Sequence, residues 1–219
     1  MATLTNCRDC PRLAHFLDAV AAENPGYFCK PVPPFGDPNA KFMIVGLAPG
    51  MHGANRTGRP FTGDHAGILL YHTLHEFGIA SEAVSQSVDD GLKLSDCRIT
   101  NAVKCLPPDN KPLPAEIKQC NRYLRMELGG LPEHSSVLAL GKIAHDAVVA
   151  ALGLKAKDHP FGHGAMHFLP TAADQAGTAH KALRIYDSYH CSRYNTQTRR
   201  LTPEMFRAVF ARITRELEE

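Results

Sequence analysis

The sequence is short of the features that announce many protein classes. Across 219 residues the basic and acidic side chains nearly cancel, leaving a formal charge of +2. No global basic field marks a nucleic-acid binder, so that argument falls to local arginine placement. No apolar run approaches the length of a membrane span, and the opening MATLTNCRDCPRLAHF lacks the apolar core of a secretory leader. The expectation is a cytoplasmic protein with no membrane partner, working as a monomer. No GxxxxGK[ST] loop is present, which argues against a nucleotide hydrolase. There is no internal repeat or low-complexity tail, and no lysine stands apart as a Schiff-base nucleophile. The seven cysteines are odd in number and unevenly spaced, which suits a disulfide framework poorly.

What is present alternates between strand and helix patterns. At 44% hydrophobic residues the chain can build a sizeable core. Lys41 to Leu47, carrying FMIV, predicts a buried strand. His65 to Phe77 predicts a helix entered at Asp64, with Ile68, Leu69, Leu74 and Phe77 near one face. Asp96 to Ala102 reads as a second strand and Ala115 to Leu128 as a helix starting after Pro114. Ser136 to Leu140 reads as a third strand, Gly141 to Leu152 as its helix, Leu183 to Asp187 as a fourth strand, and Leu201 to Leu217 as a terminal helix. Cys29 to Asn39, with four prolines, reads as irregular, Gly78 to Ser95 as connection, and Lys155 to Ala179 as loop. The alternation predicts an α/β domain over 1–219 with a central, mainly parallel four-stranded sheet. Sites in open α/β sheets lie beyond the carboxyl ends of strands. Three polar segments fall there: the glycine-rich loop after the first strand, Asn101 to Cys105, and Ser188 to Gln197.

Cys7 and Cys10 form a CxxC, and Cys105 and Cys120 are separated by fourteen residues. Four thiolates at such positions suit zinc or an iron–sulfur cluster, and spacing does not separate the two. Free buried cysteines, or one local redox pair, are the alternative. Pro11 reads as the end of the chelating turn. Cys29 and Cys97 read as ordinary thiols. His159, His163 and His167 recur at four-residue intervals in a Gly/Pro-marked loop with no matched carboxylate, and read as solvent-facing.

Three stretches carry a resemblance over nearly the whole chain: GLAPGMHGANRTGRPFTGD (46–64), ITNAVKC (99–105) and SYHCSRYNTQTRRLT (188–202). Together with the four cysteines, the sequence resembles the family 5 uracil-DNA glycosylases. That resemblance implies a three-layer αβα fold. It implies hydrolysis of the N-glycosidic bond of uracil, with hypoxanthine and xanthine as further bases, to leave an abasic site. It also implies a [4Fe–4S] cluster on Cys7, Cys10, Cys105 and Cys120 that tethers the amino-terminal segment. Damaged DNA, double-stranded and also single-stranded, is the implied partner. Two positions depart from the family pattern: Gly50 stands where alanine is common, and Cys191 follows His190 where proline is common. The second is expected to disturb its loop more.

An N-glycosidase must stabilise positive charge on the sugar, admit water and accept the departing base, which has first left the stack. Asp64 can supply the negative charge and orient water; otherwise it caps the following helix. His190 can donate toward a base carbonyl as charge develops, or make only a loop hydrogen bond. Asn101 offers a donor and an acceptor to a base edge, and Phe61 a face to stack on. Gly46, Leu47, Ala48 and Gly50 allow close backbone approach. His52, Asn55, Arg56, Arg59, Ser192, Arg193, Asn195 and Gln197 are the candidates for DNA contact. The rival reading is a DNA- or nucleotide-binding iron–sulfur protein without catalysis, in which Asp64 and His190 are structural.

Overall fold

The computed structural model describes residues 4–170, 172–173, 179–180 and 182–218. Its strands are β1 (Phe35–Gly36), β2 (Phe42–Gly46), β3 (Cys97–Asn101), β4 (Ser135–Leu140), β5 (Met166–Leu169), β6 (Ala172–Ala173), β7 (Ala179–His180) and β8 (Leu183–Ser188). Its helices are α1 (Pro11–Glu23), α2 (Ala54–Thr57), α3 (His65–Glu76), α4 (Pro114–Gly129), α5 (Lys142–Ala151), α6 (Arg193–Gln197) and α7 (Pro203–Glu218). The main sheet runs β1-β3-β2-β4-β8-β5, and β6 pairs with β7 in a small separate ribbon.

The pleat of the sheet explains the layers. Phe42 and Ile44 of β2, with Leu138 and Leu140 of β4, face a core shared with Leu70 and Leu74 of α3 and Phe206 and Phe210 of α7. Met43 and Val45, with Val137 and Ala139, face the other way onto Leu124 and Leu128 of α4 and Ala144 and Val148 of α5. Alternate residues thus bury on opposite faces, and the strands read as continuous apolar runs because both faces are covered. Burying each such side chain is worth about 1.5–3 kcal/mol against exposure. The result is the three-layer αβα arrangement.

The sheet has six strands where the sequence suggested four. β3, β2, β4 and β8 form a parallel core, and the two additions are antiparallel edges, β1 on β3 and β5 on β8. Both edges escape the hydrophobic pattern for physical reasons. β1 is two residues long, and only Leu169 of β5 is fully buried. Helix α1 escaped for a different reason. Pro11 does not end a turn; it occupies the first helical turn, where its missing N–H costs nothing. Leu13, Leu17 and Val20 then recur on one buried face.

Strand order reverses between β2 and β4: the chain leaves β2 for β3 on one side, then crosses to β4 and β8 on the other. A crevice opens at such a switch point, beyond the carboxyl ends of the strands. In the parallel register Gly46, the last residue of β2, lies opposite Asn101, the last of β3.

Candidate active site

The loops that leave β2, β3 and β8 enclose a cavity of about 350 Å³. Leu47, Ala48, Gly50, Phe61, Asp64, Asn101, His190, Ser192 and Arg193 line it, as the sequence suggested. Asn110 lines it too and was missed. It sits with φ +56° at the end of the turn Pro108–Asn110, inside a proline-rich break whose only signal was that the chain bends there. A larger open groove, about 1410 Å³, lies between residues 6–9, α4 and α5. Its wall mixes Ile117, Met126 and Ile143 with Arg8, Asp9, Lys118, Arg122 and Asp146.

Close approach makes the glycine positions intelligible. A Cβ on Gly46 would lie 2.4 Å from Asn101 Oδ1 and 2.6 Å from the Phe61 ring. A Cβ on Gly53 would lie 2.5 Å from Asp64 Oδ2. At Gly50 the nearest atom, Asp64 Oδ2, would be 3.8 Å away, so a methyl group fits there. The departure from alanine at this position is therefore sterically neutral.

Asp64 caps a helix and also lines the cavity. Its Oδ1 accepts from the Gly67 amide at 2.8 Å and caps α3. Its Oδ2 lies beside Gly50 and Gly53 in the loop that forms the cavity wall. Burial raises its carboxyl above the usual 3.8, opposed by the Gly67 and Ala66 amides. His190 lines the same cavity, and burial pushes its imidazole down to about 4, so it is neutral near pH 7. A neutral imidazole keeps one N–H donor. Phe61 stacks on His190 with centroids 6.0 Å apart.

Phe61 has φ +54°, which costs free energy for a bulky residue and persists only where neighbours over-determine it. The neighbours are visible. Arg59 donates to Thr62 Oγ1 at 2.9 Å, to Ser85 Oγ at 2.6 Å and through both terminal nitrogens to Asp90. Tyr71 donates its hydroxyl to the Pro60 carbonyl at 2.9 Å. Arg59 is therefore corrected: only 3% exposed, it is an internal clamp on the Phe61–Asp64 turn and not a DNA contact. Asn55 is corrected likewise, being fully buried with its Nδ2 on Cys29 Sγ at 3.5 Å.

The loop after β8 is built by its own polar groups. Asn195 Nδ2 donates to the His190 carbonyl at 2.8 Å, and Ser192 caps α6. Asn195 thus shapes the loop from within. His65 Nε2 and Thr196 Oγ1, 3.1 Å apart, join the start of α3 to α6 and hold Asp64's helix against the His190 loop. Cys191 is completely buried in the core beside α7, so the residue expected to loosen the loop anchors it. His52, Arg56, Arg193 and Gln197 are exposed, His52 and Arg56 being linked by the Arg56 Nε bond to the His52 carbonyl at 2.7 Å.

The cysteines correct a second expectation. Cys7, Cys10, Cys105 and Cys120 are free thiols bordering a small cavity beside α1 and α4. Among the described residues, the one set of His, Cys, Asp and Glu ligand atoms lying within 4.8 Å of one another is His145, His167 and Asp187, and the four cysteines form no such set. Burial and the neighbouring thiols push Cys105 up to about 12, and burial pushes Cys120 up to about 11. The expectation of a [4Fe–4S] cluster is corrected on that finding, and no step is assigned to one. The amino-terminal segment is held instead by packing and ion pairs. Leu13 and Cys120 pack with Val103, and Leu17 and Val20 with Leu106. Arg12 grips Glu116 with two bonds of 2.7 Å, and Arg122 pairs with Asp9.

The three spaced histidines also differ from expectation. His159, His163 and His167 are all partly buried, and the missing carboxylate is supplied by Asp187 from β8.

Among the described residues, no helix is long and apolar enough to cross a membrane. Residues 33–214 match the model of the uracil DNA glycosylase superfamily. The chain is 49% identical to the type-5 uracil-DNA glycosylase of Thermus thermophilus over 93% of this chain and 90% of that one. It is 41% identical to the type-5 uracil-DNA glycosylase of Pyrobaculum aerophilum over 95% and 88%. A type-4 uracil-DNA glycosylase of Pyrobaculum aerophilum is 32% identical over 70% of this chain and 65% of its own.

Proposed function

The chain belongs to the uracil DNA glycosylase superfamily, and we propose that the cavity between β2, β3 and β8 is where it hydrolyses the N-glycosidic bond of a flipped, deaminated nucleotide. The chain is a glycosylase of base excision repair, acting on uracil and other deaminated bases. One observation carries the assignment of the site. An acid that caps α3 through Oδ1 and a neutral histidine line one cavity together with Asn101. A volume near 350 Å³ suits a single base.

In this reading the base leaves with the electron pair of the C1′–N bond, and positive charge develops on the sugar. Asp64 opposes that charge and orients water, whose hydroxyl adds to C1′ and whose proton leaves through the carboxylate. His190 donates its N–H to the base carbonyl where negative charge collects, a preorganised donor of the oxyanion-hole kind. Asn101 presents its amide to the base edge, and Phe61 covers a face. Leu47 and Ala48 bring backbone close to the ring. Hypoxanthine and xanthine are taken as well as uracil because Asn101 can present either its donor or its acceptor. Exposed Arg193, with Ser192 beside it in the lining and exposed Gln197, His52 and Arg56 elsewhere on the surface, engages phosphates of damaged duplex or single strand. Action as a monomer completes this reading.

The test is base release with enzyme in excess of DNA, on matched duplexes carrying uracil or hypoxanthine. Free base and an intact strand with an abasic site are expected. Strand cleavage without added base, or DNA binding with no release, would refute the reading.

A further inference from the structure

Away from that cavity, at the edge of the sheet, three ligand groups, two of them buried, meet with nothing in the proposed chemistry to explain them. His145 comes from α5, His167 from β5 and Asp187 from β8, and their ligand atoms all lie within 4.8 Å of one another. Asp187 is completely buried and His145 is 1% exposed. His145 Nδ1 is 2.7 Å from Asp187 Oδ1. His167 Nε2 is 3.8 Å from Asp187 Oδ2, too far for a hydrogen bond, and it is buried with no partner at all.

The orphaned nitrogen is the informative atom, since a buried polar atom without a partner is costly and calls for a cause. The other ring nitrogens are both spoken for. His145 Nε2 donates to the His159 carbonyl at 2.9 Å. The His167 ring bonds the Pro160 backbone, and with Nε2 unpartnered that bond belongs to Nδ1. Each imidazole is thus turned by a backbone carbonyl so that its remaining nitrogen faces Asp187. Histidines that ligate metals are oriented in this way.

We propose that His145 Nδ1, His167 Nε2 and an Asp187 carboxylate oxygen form a divalent-metal site for zinc, with water in the fourth position. Two imidazoles and one carboxylate are a zinc ligand set, and ligand atoms about 3.3 Å apart suit tetrahedral bonds of roughly 2.0–2.2 Å. Each imidazole approaches its own Asp187 oxygen, His145 Nδ1 at 2.7 Å from Oδ1 and His167 Nε2 at 3.8 Å from Oδ2, and one ligand atom from each residue lies within 4.8 Å of the other two. Without metal, a proton on His145 Nδ1 stands in for the cation against Asp187; zinc releases it to solvent. The site cross-links α5, β5 and β8, and Asp187 Oδ2 also accepts from the Gly162 amide at 3.3 Å. Its role is structural: it pins the edge strand to β8, the strand that runs on through Ser188 to His190.

The test is metal titration of chelator-stripped protein, using cobalt(II) as a spectroscopic probe and zinc in competition with a chromophoric chelator. One equivalent of cobalt is expected, with tetrahedral d–d bands and no thiolate charge transfer, the latter separating this site from the cysteines. His167→Gln should weaken zinc by at least the roughly 10–100-fold seen for disturbed metal shells, and should abolish the rise in Tm that zinc gives the wild type. His167→Asp, which keeps a ligand, should restore both in part. Absence of saturable binding, thiolate bands alone, or unchanged affinity in a folded His167→Gln variant would overturn the proposal.

Discussion

Replacing Asp64 with asparagine separates the two roles of this side chain. Asparagine caps helices about as well as aspartate, so the bond from the Gly67 amide survives. What is lost is the charge beside the sugar. Two unit charges about 4 Å apart interact by roughly 4 kcal/mol at an effective dielectric near 20. The amide dipole recovers part of that, leaving about 3 kcal/mol, or a loss of roughly 10²-fold in rate. Stability should move the other way. Burial raises the Asp64 carboxyl, so the folded chain holds this proton more tightly than the unfolded chain does. Stability then falls as pH rises from the ordinary carboxylate value through the folded one. Above that window the ionised carboxylate costs stability, and asparagine removes the cost. The variant is expected to melt at or above the wild-type temperature at neutral pH while excising uracil about 10²-fold more slowly under single-turnover conditions. DNA binding should persist. A folded variant with near-normal base release would return Asp64 to capping alone and place the water-orienting group elsewhere.

The same pair of groups fixes the acid side of the pH profile. Single-turnover activity should fall as pH drops through the raised Asp64 value, and His190 changes charge near 4. Gly53→Ala should cut excision sharply by driving a methyl into Asp64, and Gly46→Ala likewise by striking Asn101 and Phe61, whereas Gly50→Ala should be nearly silent; equal effects at all three would contradict the geometry. Arg59→Ala strands the Asp90 carboxylate and frees the Phe61 turn, for which about 3 kcal/mol of lost stability is expected in a denaturant titration, in the range for breaking a buried pair. Arg193→Ala should leave the melting temperature alone, weaken duplex binding and lower the salt slope of log K by about one.

Much of the fold was legible because the physics that writes it is periodic. FMIV and SSVLAL are apolar on both faces since helices cover both sides of the sheet, and such runs stand out from any loop. Asp64 before HAGILLYHTLHE marked the start of α3 to the residue. The losses came where periodicity fails. MHFL of β5 pairs by backbone bonds to β8 while one face looks outward, so its pattern resembles a loop. PRLAHFLDAV follows a CxxC and opens on proline, which masks the helix that begins at Pro11.

The site divides along the same line. Asn101 ends β3, His190 lies two residues past β8 and Asp64 caps α3, and strand ends and helix caps are places that sequence can locate. Arg59 could not be placed in that way. Its partner Asp90 lies thirty-one residues on, in a polar connection that gives no sign of being folded back beneath the loop. A charged residue in a glycine-rich stretch looks solvent-facing until its counter-ion is known, and the counter-ion is a tertiary fact. The histidines repeat the lesson in reverse: their four-residue spacing suggested nothing because the matching carboxylate and second imidazole come from β8 and α5. In both cases what decides the chemistry of a polar side chain is the group facing it. Where that group lies on a distant element, only the packed sheet brings the two together. The opening loop illustrates the consequence. Its glycines clear the space, yet the acid at its end is held in place by an arginine, a serine and an aspartate that clamp the turn from below.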